Sequence, residues 1–275
     1  MTTKSIISLL LLSTVLCFGQ KKSSNTAGIK YETKDSFGKL LDSLNVKGSI
    51  LIYDTQLKTY YSNDFKWAKI GKLPASTFKI PNSIIALETK IIESDTTLIK
   101  WNGEKRGLPV WEQDMTFAKA LQVSCVPCYQ EIARKVGVKR MKSYLAKLGY
   151  PGMEVDSANI DYFWLKGKSK ISQFEEIDFL YRFYNSELPI AERTTVIVKR
   201  MLVRNTAKGY ILSGKTGLIS GDKMIGWFVG YVVKGDNTYY FATNLEPGEK
   251  MDGNAFTDVR IGATNAALRQ MGIIE

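Results

Sequence analysis

Ser76-Thr77-Phe78-Lys79-Ile80-Pro81, running on into Ile84, Ile85 and Leu87, decides how the rest of the chain is read. The apolar residues recur at helical spacing on a largely buried helix, and Pro81 confines the helix start, because proline is tolerated only in a first turn. Ser76 then stands at the helix N-terminus, where free N–H groups and the helix dipole favour a developing anion. Positions i and i+3 share a face, so the Lys79 amine reaches the Ser76 hydroxyl. The 275-residue chain contains no histidine. Imidazole, the usual remover of a serine proton, is therefore absent, and the base has to be Lys79. The same absence excludes every histidine-based zinc site, and three cysteines do not make a catalytic one.

Outward from this stretch, Phe37, Leu40, Leu41 and Leu44 mark an upstream helix. Gly48 to Tyr53 and Thr59 to Ser62 read as a hairpin turning at Asp54 to Lys58. Downstream, from about residue 100 to 210, helical segments dominate: Phe117 to Leu121, Tyr129 to Val136, Met141 to Leu148, Ile177 to Tyr184 and Thr194 to Leu202. Strand patterns return at Tyr210 to Ser213, Trp227 to Val233 and Thr238 to Leu245, the last two joined by a turn at Lys234 to Asn237, before a final helix near Phe256 to Gln270. The expectation is an α/β fold of the α+β type. One antiparallel sheet is built from both termini and flanked by helices, with an all-helical subdomain inserted.

The first nineteen residues carry a basic start at Lys4, an apolar run from Ile6 to Leu16, and small residues Cys17 and Gly19. This reads as a secretory signal peptide over 1–19, cut between Gly19 and Gln20, leaving one domain over 20–275. The run is too short to span a bilayer, which takes about 20 residues, and Leu16 before Cys17 is not the small residue a lipoprotein signal requires. A soluble, secreted, periplasmic protein with no membrane anchor is expected. The net charge of +11 is scattered rather than gathered into a stripe, which argues against nucleic acid and for a field that attracts small anions. Cys125-Val126-Pro127-Cys128 lacks the strand–helix context of a thioredoxin-like pair; a local disulfide and two small buried thiols both remain open.

Alone, Ser-x-x-Lys is a weak signal. Ser124-Cys125-Val126 adds a second hydroxyl in the helical region, and Lys215-Thr216-Gly217 follows Ser213-Gly214 on a strand. Their order matches serine β-lactamases and penicillin-binding proteins. With Phe163-Trp164-Leu165 and Gly226-Trp227-Phe228-Val229-Gly230, the mature sequence resembles a class D, oxacillinase-type, serine β-lactamase, since Ser124-x-Val126 stands where class A carries Ser-Asp-Asn.

The resemblance implies a β-lactam substrate, Ser76 as the acylated nucleophile and Lys79 as its base. It implies Ser124 as proton relay to the β-lactam nitrogen, and Lys215, Thr216 and Arg260 as binders of the substrate carboxylate. Val126, Tyr129, Trp164 and Leu165 would line the pocket, and Gly217 would let substrate approach the backbone while Leu218 and Ser76 offer N–H groups to the oxyanion. It further implies N6-carboxylation of Lys79, held by Trp164 and needing carbon dioxide or bicarbonate but no metal or other cofactor. Burial beside Phe78, Val126 and Trp164 would favour this by desolvating the ammonium. The chain departs from the family at Tyr150-Pro151-Gly152, where Tyr-Gly-Asn is usual, a change bearing on the pocket rim and not on nucleophile or base. Competing readings are a β-lactam sensor domain and a penicillin-binding peptidoglycan peptidase or transpeptidase, both acylating without efficient deacylation.

Overall fold

The computed structural model describes residues 28–220, 224–249, 251 and 253–275; the signal-peptide segment 1–19 lies outside them. Strand β1 (Lys30–Thr33) and helix α1 (Asp35–Ser43) lead into the hairpin β2 (Val46–Asp54) and β3 (Thr59–Ser62). Asp54 builds the hairpin turn, its Oδ1 accepting from the N–H groups of Gln56 and Leu57 at 3.0 Å each. A short α2 (Phe65–Ala68) precedes a 3-10 turn, Ala75–Phe78, that runs directly into α3 (Lys79–Glu88). The inserted lobe then follows: the small ladder β4 (Leu98–Ile99) and β5 (Met115–Thr116), and helices α4 (Phe117–Gln122), α5 (Val126–Val136), α6 (Val138–Leu148), α7 (Gln173–Tyr184) and α8 (Glu192–Leu202). The chain returns to the sheet as β6 (Val203–Ala207), β7 (Tyr210–Ile219), β8 (Ile225–Lys234) and β9 (Asn237–Pro247), and closes with α9 (Gly253–Gln270).

The seven strands lie in the order β1-β3-β2-β9-β8-β7-β6. All neighbours are antiparallel except the edge pair β1–β3, which is parallel. The two halves of the sheet meet in the ladder of β2 and β9, from Val46 opposite Pro247 to Asp54 opposite Tyr239.

Side-chain alternation divides the core in two. Trp227, Val229 and Tyr231 of β8, with Tyr240 and Ala242 of β9, pack with α3, α5 and α7. Phe228, Val232, Phe241 and Leu245 face α1 and α9 through Phe37, Leu41, Phe256, Ala263 and Ala267. Close approach of β7 and β8 depends on Gly214 opposite Gly230, since a Cβ on Gly230 would stand 2.0 Å from the Ser213 carbonyl oxygen. The cysteine pair is a disulfide spanning Cα atoms 5.4 Å apart.

Candidate active site

The Ser76 turn is wedged between three elements. Trp227 Nε1 of β8 donates to the Leu73 carbonyl at 2.8 Å, and Ala75 N donates to the Trp164 carbonyl at 2.9 Å. β7 supplies the third wall. Its ladder with β6 ends at Ser213, so from Gly214 onward its outer side is open to the turn. At Gly217 an added Cβ would meet the Pro74 carbonyl oxygen at 3.0 Å and Ala75 Cβ at 3.2 Å. The missing side chain is therefore first of all what lets the nucleophile turn lie against β7. The strand runs through Gly217, paired with Trp227, to Ile219, and has no bulge there.

Helix α3 places Pro81 in its first turn and points Lys79 back at the serine, whose residue is only 7% exposed. Lys79 Nζ donates to Ser76 Oγ at 2.8 Å. The lysine is 0% exposed, and burial pushes its amine down to about 7. Among the described residues no carboxylate pairs with it; the aromatic face of Tyr129 lies 5.3 Å from Nζ. Tyr129 is in turn fixed by Ser83, which donates to the Lys79 carbonyl at 2.7 Å, so the phenol donates to Ser83 Oγ at 2.7 Å. Trp164 stacks on Phe78, with ring centroids 5.3 Å apart, and its buried Nε1–H has no hydrogen-bond partner among the described residues. Tyr129 and Trp164 are both 0% exposed, Tyr129 with its ring toward the lysine and Trp164 against Phe78. Leu165 and Val126, expected with them to line the substrate pocket, are half-buried.

Across from this pair, Ser124 sits at φ 55°, a conformation uncommon outside glycine. Cys125, not Ser124, caps α5, which leaves the serine hydroxyl free of the helix. Lys215 Nζ donates to it at 3.0 Å and to the Thr216 carbonyl at 2.8 Å. Burial first, then the nearby charges of Lys79, Arg204 and Arg260, hold the Lys215 amine well below its ordinary range. Arg260, on α9, crosses β8 at Gly226, whose missing side chain leaves Arg260 Cδ 3.5 Å from a would-be Cβ; Gly226 pairs with Leu218. Its Nε and Nη1 are buried with no partner among the described residues. Burial is the main reason its guanidinium is pushed down to about 10, opposed by Asp258 and reinforced by Arg204. Unspent N–H groups on a buried cation are a standing demand for an anion.

The site thus gathers Ser76, Lys79, Ser124, Lys215, Thr216, Gly217 and Leu218 along one strand and two helix starts, with Arg260 reaching in from α9. Arg204, whose guanidinium lies 5.6 Å over the Phe228 ring, is a further cation that the motif pattern did not flag. It lines a cavity of about 320 Å³ beside Lys215. Replacing Arg260 by alanine is expected to raise KM for a carboxylate-bearing β-lactam by about ten- to a hundredfold with little change in kcat, the range of a charge-assisted pair. Equal losses in kcat and kcat/KM would instead place Arg260 in the transition state.

A family profile for the penicillin binding protein transpeptidase domain matches residues 48–260. The fold and the Ser-x-x-Lys, Ser-x-Val and Lys-Thr-Gly residues are therefore those of a penicillin-recognising serine acyl-transfer domain. β-Lactamase OXA-10 of Pseudomonas aeruginosa is 36% identical over 87% of this chain and 90% of its own length. The crystal structure of a class D β-lactamase from Sebaldella termitidis superposes with a TM-score of 0.86 at 32% identity, covering 90% of this chain and 100% of that one. The chain belongs to the class D β-lactamases, a family of hydrolases. The regulatory protein BlaR1 of Bacillus licheniformis is also similar, 29% identical over 88% of this chain but only 40% of its own length.

Proposed function

We propose that the protein is an exported, periplasmic enzyme that opens the β-lactam amide through an acyl-enzyme on Ser76 and thereby confers resistance to these antibiotics. The observation that carries the reading is the buried amine of Lys79, 2.8 Å from Ser76 Oγ and without an acidic partner among the described residues. Base at position 79 takes the Ser76 proton as Oγ bonds to the carbonyl carbon. N–H groups of Ser76 and Leu218 receive the oxyanion. The carbon–nitrogen bond breaks, and the nitrogen takes its proton through Ser124, whose hydroxyl Lys215 orients. Lys215, Thr216 and Arg260 hold the substrate carboxylate. Water, deprotonated by the same base, then cleaves the ester and returns Ser76.

Carbon dioxide fits this site as a covalent partner of Lys79. Only a neutral amine adds carbon dioxide, burial favours that form, and the orphaned Trp164 Nε1–H is a donor awaiting an acceptor. A carbamate at Lys79 would supply an anionic base where the neutral amine supplies a weak one. Benzylpenicillin in many equivalents, with and without bicarbonate, tests the reading: sustained hydrolysis that bicarbonate stimulates is expected. The likeness to BlaR1 favours a second reading, a sensor that acylates once. A stoichiometric burst ending in a stable adduct would mean a sensor or a penicillin-binding peptidoglycan enzyme and would overturn the hydrolase reading. Among the described residues no helix is long and apolar enough to cross a membrane.

A further inference from the structure

Behind the nucleophile lies a buried acid that the reaction does not use. Glu176, in the first turn of α7, is 0% exposed. Its Oε1 lies 2.7 Å from Thr77 Oγ1 and 3.1 Å from the Tyr150 hydroxyl. Its Oε2 has no partner among the described residues. Thr77 Oγ1 is also 2.7 Å from the Pro74 carbonyl oxygen. Thr77 has one hydroxyl proton and two close oxygens to serve. A carboxylate and a carbonyl only accept, so with Glu176 ionised one of the two contacts would lack a hydrogen. With Glu176 protonated every contact has one: Tyr150 donates to Glu176, Glu176 to Thr77, and Thr77 to Pro74.

We propose that Glu176 is held as an uncharged carboxylic acid, and that through Thr77 it clamps the turn carrying Ser76 and so positions the nucleophile. The groups facing it agree. The turn contributes Thr77, the segment after α6 contributes Tyr150, and α7 itself contributes only Glu175, another acid. Burial pushes the Glu176 carboxyl up to about 7, against the lowering effect of the bonds from Thr77 and Tyr150. The helix dipole favours a carboxylate in a first turn, yet no N–H reaches Oε2. The clamp matters because Ala75 is held at φ 53°, a strained conformation for alanine, and the Thr77–Pro74 bond closes over it. An ionised Glu176 would draw the Thr77 proton away from Pro74 and loosen the kink that aims Ser76.

Glutamine offers the same donor and acceptor without a proton to lose, so E176Q decides the charge state. The unfolded carboxyl ionises near 4.5 and the folded one near 7, so wild type loses stability as pH rises across that window. Thermal midpoints of the two proteins are expected to coincide at pH 4.5, with E176Q higher by roughly 5 °C or more at pH 8. A gap independent of pH, or an E176Q midpoint below wild type at pH 8, overturns the neutral acid. So does the absence at pH 5.5 of a protonated-carboxyl C=O band in the wild-type minus E176Q infrared difference spectrum. For the clamp, E176A is expected to lower kcat on benzylpenicillin by about tenfold or more, with E176Q restoring most of it. Wild-type kcat in E176A overturns the positioning role. If E176A does not fold, T77V, which removes the middle link, is read in the same way. The kcat measurements rest on the hydrolase reading and the midpoint and infrared ones do not, so failure of one is distinguishable from failure of the other.

Discussion

Lys79→Ala is expected to lower kcat for benzylpenicillin by about a hundred- to ten-thousandfold, the range general-base catalysis supplies. The amine is the only basic group within hydrogen-bond reach of Ser76 Oγ in the described structure, so nothing nearby can substitute for it. The same residue should be a burden on the fold. Its folded-state pKa is depressed from 10.5 to about 7, so the cost of burying it is full below about pH 7 and fades as pH rises toward 10.5. A shift of this size corresponds to roughly 3–5 kcal/mol for a fully buried group. Lys79→Met, which fills the same space, is therefore expected to be inactive yet more stable than wild type at pH 7 in bicarbonate-free buffer, with the advantage shrinking by pH 10. Near-wild-type turnover by K79A in a steady-state assay would remove the lysine from the mechanism.

Trp164→Phe is the second large effect. The substitution keeps an aromatic ring against Phe78, so packing changes little, and removes only the buried Nε1–H that lacks a partner. Deleting an unpartnered buried donor relieves a desolvation penalty, so W164F should not be destabilised through lost hydrogen bonding. Its turnover in buffer open to air is nevertheless expected to fall by about a hundred- to a thousandfold, the effect of losing a donor to a charged group in a water-poor site. Added bicarbonate should recover part of the loss. A W164F enzyme with wild-type rate and no heightened bicarbonate response would mean that the indole N–H serves no anion at position 79.

The catalytic strip was largely legible in the sequence because its parts are local. Ser76 and Lys79 are one helical step apart, and Ser124-x-Val126 and Lys215-Thr216-Gly217 are short runs on single elements. The hairpins of β2 with β3 and of β8 with β9 announced themselves through short apolar and aromatic runs bounded by turn residues at Asp54 to Lys58 and Lys234 to Asn237, although β2, β8 and β9 are buried on both faces for most of their length. Strand β1, Lys-Tyr-Glu-Thr, gave no such signal because all four residues are exposed at a sheet edge. β6 escaped for the same reason, its Val-Arg-Asn-Thr stretch facing solvent. Glu176 was hidden differently: its partner Thr77 is 99 residues away and fills one of the two unspecified places of Ser-x-x-Lys, and Glu176 belongs to no motif. A clue existed, since Glu176 stands four and seven positions before Leu180 and Phe183 on the buried stripe of α7. An acid on an apolar stripe asks for a partner, but only the fold reveals which. The Tyr150-Pro151-Gly152 departure also reads differently in space, because Tyr150 packs edge-on against Phe179 and donates to Glu176 behind the nucleophile turn.

The ladder of β2 with β9 also sets the order in which the molecule can assemble. β2 ends at Asp54 and β9 begins at Asn237, so the two strands that complete the middle of the sheet are far apart in sequence and the second is synthesised long after the first. Until β9 arrives, the inner edge of the β2–β3 hairpin is an unpaired apolar strand, open to mispairing with other chains. Contacts of such long sequence separation make folding slow, because chain-closure entropy is lost before packing repays it. A chain arrested short of β9 should therefore aggregate rather than persist as a half-domain, and the nascent polypeptide stays without its finished sheet until β9 has been made.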